Sequence, residues 1–272
     1  MSAFIHHLSY DFKSGIRDKG KLLMSYLFPL VFFALAGSLM TAVNPFFKET
    51  ALPGMIIFAL MSSALLSFPN GIVTAREQGV FRSYCINGVP VVSVLVIPVI
   101  GGAVHMAIVS TIISFGGAGL FGGAAPSNIP GFIAAGILSY AAFAGMGILI
   151  GTAAAKDTAA TLLAQVIYIP SIMLGGLMMP LSMLPEGFRR MSLLLPSTHA
   201  MKAFTGLGGM PAGSPIPWLS IGVLAASTVL DFGLAAWIFQ WDPRATTPSK
   251  KAFAALLGIL PFAAAVMIGF GT

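Results

Sequence analysis

The chain has 272 residues, of which 57% are hydrophobic and 8% carry a charge, and its formal net charge is +6. Several uncharged runs reach the roughly 20 residues that a helix needs to cross a bilayer. These runs are continuously apolar, whereas the strands of a membrane barrel alternate, so the composition excludes both a barrel and a soluble domain. We predict a single all-α integral membrane domain over residues 1–272. No basic face or recognition motif accompanies the positive charge, which excludes nucleic-acid binding.

The first element in chain order is a predicted amphipathic helix over residues 1–21. Phe4, Leu8, Phe12 and Ile16 recur at every fourth position, and charged residues fall between them. A helix with this pattern lies flat in the headgroup layer of the membrane. We therefore predict an interfacial helix ahead of the first span.

Six to seven transmembrane helices follow the interfacial helix. The last apolar run contains a proline, which membrane helices tolerate, and Lys250 and Lys251 ahead of it are suited to the interface. We therefore keep residues 252–270 as an extra span. The predicted spans are residues 22–43, 51–73, 91–115, 130–152, 159–181, 216–239 and 252–270.

Lysine and arginine set the orientation of these spans, because short loops that carry them stay in the cytoplasm. A cytoplasmic N-terminus leaves only four of these residues outside: Lys48, Arg189, Arg190 and Lys202. The polar segment 74–90 is then cytoplasmic, and a seventh crossing places the C-terminus on the extracytoplasmic side.

The loop over residues 182–215 is external in this topology. Phe188, Met191, Leu194 and Leu195 recur in it at helical spacing. We predict a short re-entrant helix here, which dips toward the membrane and shapes an exit vestibule.

Three polar residues stand out inside the predicted spans: His105, Gln165 and Asp231. A carboxylate at the bilayer centre costs about 2.5–3.5 kcal/mol, so Asp231 needs a partner. His105 is a candidate for a proton relay, but it lies about 9 Å away in depth at the helical rise of about 1.5 Å per residue. Gln165 and Tyr168 are equally suited as donors. We favour a hydrogen-bonded structural acid over the relay.

Several kinds of chemistry have no motif in this sequence. The phosphate-binding pattern Gly-x-x-x-x-Gly-Lys-Ser/Thr is missing, so ATP hydrolysis by that route needs another chain. No spacing indicates a metal site, and no arrangement indicates a hydrolase, so we predict neither a metal nor a catalytic residue. Gly147 and Gly151 lie inside an apolar span and indicate a helix-packing face.

Two segments together resemble the permease subunit of ATP-binding cassette type-2 exporters. The first is Arg76-Glu77-x-Gly79-x-x-Arg82, followed by a span that opens on Pro90-Val91. The second is the end of the fifth span, followed by two Leu-Pro pairs: Gly175-Gly176 to Pro180, Leu184-Pro185 and Leu195-Pro196-Ser197-Thr198. Their order and their predicted sides of the membrane make the resemblance more specific than either segment alone, and it covers most of the chain.

The resemblance implies a permease that moves an amphipathic or lipid-like substrate outward across the cell (inner) membrane. It implies a second permease chain as partner, in a homodimer or a heterodimer. It also implies two copies of a separate ATPase subunit, which would hold the ATP and magnesium, while this chain would bind no cofactor. The usual type-2 permease has six spans with both ends in the cytoplasm, and the predicted seventh span departs from that pattern.

By the same resemblance, segment 74–90 would be the coupling helix that docks into a groove of the ATPase. Arg76, Glu77 and Arg82 would make polar contacts there, and Gly79 would allow close approach. The alternative is an ordinary solvated turn with snorkelling arginines. The external gate or vestibule would be formed by Pro180, Leu184, Pro185, Pro196 and Thr198.

One rival function remains open. A seven-span, ion-coupled secondary transporter would use Asp231 as its proton or sodium site. A membrane-embedded enzyme would need a polar catalytic cluster, which the sequence does not contain.

Overall fold

The computed structural model describes residues 19–43, 47–121, 125–241 and 250–269, which form a helical bundle without strands. The predicted all-α class is confirmed. The interfacial helix predicted over residues 1–21 lies almost entirely outside the described residues and stays a prediction.

Helices α1 and α2 each contain a π-helical turn. Helix α1 consists of Lys19–Leu22, the π-turn Leu23–Leu27 and Phe28–Val43, and α2 consists of Phe47–Met61, the π-turn Ser62–Ser67 and Phe68–Glu77. Each π-turn ends just before a proline, Pro29 or Pro69. Because proline lacks an N–H and its ring clashes with the preceding turn, the regular hydrogen-bond ladder cannot continue there.

The remaining helices are numbered in chain order. They are α3 (Val80–Ile86), α4 (Val91–Phe121), α5 (Ile129–Ala153), α6 (Asp157–Leu174), α7 (Glu186–Ser192), α8 (Pro196–Gly208), α9 (Trp218–Ile238) and α10, in which a 3₁₀ segment, Lys250–Ile259, leads into Leu260–Gly269.

Five helical stretches in the described part of the chain are long and apolar enough to cross a membrane. They are Thr50–Glu77, Val91–Gly117, Ile129–Ala153, Asp157–Leu174 and Trp218–Ile238, with Ser25–Leu39 and Phe253–Ile268 as shorter apolar helices. The chain is thus a multi-pass membrane protein. The seventh crossing, over residues 252–270, stays a prediction.

Helices α2 and α5 form the centre of the bundle. In the most apolar stretch of α2, 89% of the residues are buried, whereas in that of α6 only 22% are. Helix α2 therefore occupies the interior of the bundle and α6 its periphery, where apolar side chains can face lipid. Helix α5 packs along α9, α8 and the second half of α2.

Glycines allow α5 to approach α2 closely. A Cβ atom added at Gly147 would lie 2.2 Å from the Ala64 carbonyl oxygen, and one at Gly151 would lie 2.9 Å from the Pro69 Cα. Side chains at these positions would force the two backbones apart. The predicted packing face at Gly147 and Gly151 is therefore confirmed.

The fifth predicted span ends earlier than expected. Helix α6 stops at Leu174, so the predicted end at residue 181 is wrong. Gly175 contacts Ser197 so closely that an added Cβ would lie 1.9 Å from the Ser197 Oγ, and Gly176 has a φ of +86°. The two glycines end the helix because one is needed for this contact and the other for the left-handed backbone.

Two other spans run longer than predicted. Helix α4 continues to Phe121 instead of ending at 115, and α2 continues to Glu77 instead of ending at 73. Glycine often marks the end of a helix, but an added Cβ at Gly116 would lie 3.1 Å from the Phe33 ring. This glycine allows α4 to pack against α1 and does not end the helix.

The segment over residues 182–215 contains two α-helices, which follow a short 3₁₀ turn, Leu181–Met183. Helix α7 corresponds to the predicted short helix, and Phe188, Met191 and Leu194 are exposed on or just after it. Helix α8 was not predicted, and most of its residues are buried. The segment is thus partly an interior element and not only a surface loop; whether α7 is re-entrant stays a prediction.

We predict that Gly147→Ala destabilises the chain by about 1–3 kcal/mol, because the new methyl group overlaps the backbone of α2. Thermal unfolding of the purified protein in detergent, followed by intrinsic fluorescence, measures this as a lowered midpoint. Gly222→Ala is the matched control, since it lies inside α9 with no atom within 4 Å of an added Cβ. Equal midpoints for the two variants would contradict the packing face.

Candidate functional site

The bundle has two ends that differ in character. The Arg76 end contains the corner between α2 and α3 and the last turn of α5. The Lys202 end contains the start of α2, the start of α5 and the second half of α8. Each end carries residues for which the sequence predicted a role.

A tight turn connects α2 to α3 at the Arg76 end. The Gly79 N–H donates to the Arg76 carbonyl over 3.0 Å, and the Arg82 N–H donates to the Gly79 carbonyl over 3.1 Å. Gly79 has a φ of +73°, a conformation that side chains with a Cβ rarely adopt. Glycine is therefore needed at this position for the turn itself.

Arg76 points into the bundle. Its side chain is only 4% exposed, and its guanidinium donates to the carbonyls of Thr152, over 3.4 Å, and Ala154. These carbonyls lie at the end of α5, where the helix no longer supplies donors for them. Arg76 thus caps α5 and fixes the end of α2 against it. Its predicted contact with another subunit remains untested, and in this conformation its donors serve the chain itself.

Phe81 anchors the other side of the corner. It is 4% exposed, and its ring centroid lies 5.0 Å from that of Phe239, which follows α9. The Phe239 ring in turn meets Trp241 edge-on at 5.0 Å. Helix α3 is therefore held to the end of α9 by aromatic contact, in addition to its covalent connection with α2.

The exposed side chains of the corner include Glu77, Arg82 and the single cysteine, Cys85. Their charges of both signs are available to solvent or to a partner, while Arg76 and Phe81 face inward. The arrangement is a short helix with an internal anchoring side and an external polar side.

A cavity of about 740 Å³ opens at the Lys202 end. Its walls come from the start of α2, the residues ahead of α5, the segment after α6, the second half of α8 and the loop that leads to α9. The lining residues are Thr50, Ala125, Ser127, Pro180, Lys202, Thr205, Gly206, Gly209, Met210, Pro211, Ala212, Ser214, Pro215, Ile216 and Pro217.

The structure separates the five residues predicted for the external gate. Pro180 lines the cavity, Leu184 is half-buried and Pro185 is exposed. Pro196 and Thr198 are buried in the first turn of α8. The structure thus does not bring the five together on one surface, and their role in a gate stays a prediction.

His199 holds α8 in place and is not exposed. Its Nε2 lies 2.9 Å from the Leu193 carbonyl, which can only accept, so Nε2 carries the hydrogen, and Nδ1 lies 3.2 Å from the Ser220 hydroxyl. Burial, with a smaller contribution from the nearby Lys202, lowers the pKa of His199 to about 4 against the opposing effect of the Leu193 carbonyl. The imidazole is therefore neutral at pH 7 and accepts from Ser220, which ties α8 to α9.

The buried polar residues of the spans form separate pairs. His105 contacts the Tyr26 hydroxyl at 2.6 Å, and Asp231 accepts a hydrogen bond from Ser227 over 2.8 Å. A relay between His105 and Asp231 is therefore not formed, as expected from their depths. Asp231 is fully buried, and a Cβ at Gly258 of α10 would lie 2.5 Å from its Oδ1.

The alternative donors suggested for Asp231 are not its partners. The Tyr168 hydroxyl lies 2.6 Å from the Ser62 Oγ, and Ser62 donates to the Phe58 carbonyl, so Tyr168 must be the donor in the pair. Gln165 is half-buried on α6. The Oδ2 atom of Asp231 accepts from Ser227, and its Oδ1 atom has no hydrogen-bond partner among the described residues, so the expectation that Gln165 or Tyr168 donates to Asp231 is wrong.

No group of three or more His, Cys, Asp or Glu residues in the described ranges could hold a metal ion. Sequence reasoning missed the partners of Arg76, the anchor Phe81 and the cavity around Lys202. The spacing of Arg76 and Phe81 along a polar segment gave no sign of burial. A signal for the cavity was available in Lys202, a lone lysine among small and apolar residues.

Comparison with protein families identifies the chain. The family model described as ABC-2 type transporter matches residues 3–207, which is well over half of the chain. No curated protein and no solved structure gives a significant match. The matched region includes the α2–α3 corner and most of α8, and the domain of this family is a membrane transport subunit that is not itself the ATPase. The chain belongs to the ABC-2 type transporter family.

Proposed function

We propose that the chain is the permease of an ATP-driven exporter and moves an amphipathic or lipid-like substrate outward. Two copies of a separate ATPase subunit, which bind ATP and magnesium, would dock at the Arg76 end on the cytoplasmic side. A second permease chain, identical or related, would complete the transporter. The observation that carries this proposal is the α2–α3 corner, which is anchored inside the bundle by Arg76 and Phe81 and presents Glu77 and Arg82 outward.

The corner is suited to transmit force into the membrane. Movement of α3 would act on the end of α5 through the guanidinium of Arg76 and on the end of α9 through the ring of Phe81. Because α5 and α9 pack along their lengths, both helices would move together. A solvated turn needs no such internal contacts, so they favour the coupling role.

Helix α6 offers a surface for the second permease chain or for lipid. Leu162, Val166, Ile169 and Met173 are more than half exposed along one side of it. In a bilayer, apolar side chains on this surface are compatible with either neighbour. The surface supports pairing without deciding between a homodimer and a heterodimer.

The ion-coupled alternative depends on Asp231. This carboxylate is enclosed by Ser227 and by the close approach of Gly145 and Gly258, and it does not line the cavity at the Lys202 end. An ion site in a carrier must open to water on alternate sides. The enclosure and the family membership favour the ATP-driven function.

We predict that Glu77→Lys weakens co-purification with the ATPase and lowers ATP-dependent export of a fluorescent lipid analogue from proteoliposomes. Reversing an exposed charge in a docking surface changes electrostatic complementarity. We expect the affinity of the permease for the ATPase to fall about tenfold, which corresponds to about 1.4 kcal/mol.

Glu186→Lys provides the control for this experiment, because Glu186 is also exposed but lies on α7, away from the corner. Normal assembly and export by the Glu77 variant would reject the coupling role. Export that needs only an ion gradient and stops in Asp231→Asn would instead establish the carrier.

We predict that Arg76→Gln lowers the unfolding free energy by about 1–3 kcal/mol, because buried carbonyls at the end of α5 lose their donors. It should also lower the amount of substrate exported per ATP hydrolysed, since the corner is released from α5. Arg76→Lys should recover little of the lost stability, because one ammonium lacks the fork geometry of a guanidinium. Arg82→Gln, at an exposed position, should keep the wild-type midpoint; a midpoint equal to wild type in Arg76→Gln would exclude the cap.

The proposed orientation can be tested with the natural cysteine. Cys85 is exposed on α3, so a membrane-impermeant maleimide should fail to label it in intact cells and label it after permeabilisation. A Thr272→Cys variant in a Cys85→Ser background should be labelled in intact cells if the seventh crossing exists. Labelling of Cys85 in intact cells would contradict the proposed orientation and favour the inverse topology.

A further inference from the structure

The walls of the cavity at the Lys202 end are fixed by backbone contacts. An added Cβ at Gly206 would lie 2.2 Å from the Pro217 Cδ and 2.8 Å from the Pro215 carbonyl oxygen, so α8 and the loop to α9 touch. Gly209 ends α8 with a φ of +61°. The Ser214 hydroxyl donates to the Pro211 carbonyl over 2.8 Å and closes the loop into a turn. The cavity is therefore preformed.

Lys202 is the single charged residue among those that line the cavity. It is half-buried, and no described carboxylate forms an ion pair with it. Thr205, one turn later, donates its hydroxyl hydrogen to the carbonyls of Met201 and Lys202 of its own helix. Burial lowers the pKa of the Lys202 ammonium, which means that its charge is poorly solvated and gains from an anion nearby.

The surroundings of the cavity indicate its depth in the membrane. The loop that forms one wall leads directly into α9. The first residue of α9, Trp218, is 72% exposed. Tryptophan at the end of a membrane span favours the layer of lipid headgroups. Ile216 lines the cavity beside it and is also exposed. The cavity thus lies where a headgroup could enter from the side of the bilayer.

We propose that this cavity binds the phosphate-bearing headgroup of an anionic lipid. The Lys202 ammonium would contact the phosphate, and the Ser127 hydroxyl would supply a second donor. The apolar wall made by Ala125, Pro180 and Ile216 would contact the glycerol and the first carbons of the acyl chains. The size of the cavity, about 740 Å³, suits a headgroup of this class. The site does not depend on transport and would be occupied in the permease alone.

Binding is measured on the full-length permease purified in a neutral detergent. Native mass spectrometry during titration gives the affinities for phosphatidylglycerol and for phosphatidylcholine, whose headgroup has no net charge. We expect a preference of about tenfold or more for phosphatidylglycerol, the size of one hydrogen bond to a charged group. Lys202→Gln should lose this preference and Lys202→Arg should keep it.

Lys156→Gln is the matched control, since Lys156 is exposed at the Arg76 end, and it should bind like the wild type. The thermal midpoint of each variant verifies that the fold is kept. Equal affinity of the wild type for the two lipids, or an unchanged preference in Lys202→Gln, would overturn the proposal. Displacement of the lipid by millimolar inorganic phosphate would show that the cavity prefers free phosphate, and would overturn the proposal that it binds a lipid headgroup. Because no ATPase is present, a failure here is distinct from a failure of export.

Discussion

The need to satisfy polar groups away from water shapes this bundle more than any other constraint. A buried backbone group without a partner costs several kcal/mol in hydrocarbon, and helix ends leave several such groups. The guanidinium of Arg76 meets this need at the end of α5 by donating to two carbonyls. Some hydroxyl groups inside the helices donate to a carbonyl one turn earlier in the same helix, as Thr228 does to the Leu224 carbonyl. The cap therefore serves structure first, and it makes the same residue a mechanical connection between α2 and α5.

Close packing of α2 on α5 determines which motions the bundle can make. The contacts at Gly147 and Gly151 leave no room between the two backbones, so the pair must move as one unit. Helix α8 is held in a similar way by His199, whose neutral ring joins it to Leu193 and to Ser220 of α9. A displacement at the α2–α3 corner would then be carried through rigid elements toward the Lys202 end. Such a bundle transmits motion better than a set of loosely packed helices.

The sequence predicted those parts of the structure that depend on hydrophobic runs alone. All seven apolar runs are helical over most of their described residues, and the glycine packing face was found because small residues four apart have few other uses in a membrane helix. The ends of helices were predicted less well, since Gly116 and Gly175 have the same local meaning in sequence and opposite outcomes in the fold. Helix α8 was missed because its first turn, Pro196-Ser197-Thr198, has the composition of a loop. The burial of Arg76 could not be predicted, because its acceptors lie 76 and 78 residues away in the chain.

Arg76 and Lys202 hold their charges in different ways, and this difference bears on what each end of the bundle can bind. At the Arg76 end the inward-facing arginine is satisfied by the chain, and exposed charges such as Glu77 and Arg82 can be matched by a protein surface. At the Lys202 end the charge is recessed in a cavity with an apolar wall, which a protein surface cannot reach but a small amphipathic molecule can. The proposed ATPase at the first end and the proposed lipid headgroup at the second would make physical use of both. A chain that performed its work at one end only would have no need for the rigid connection through α5 and α8.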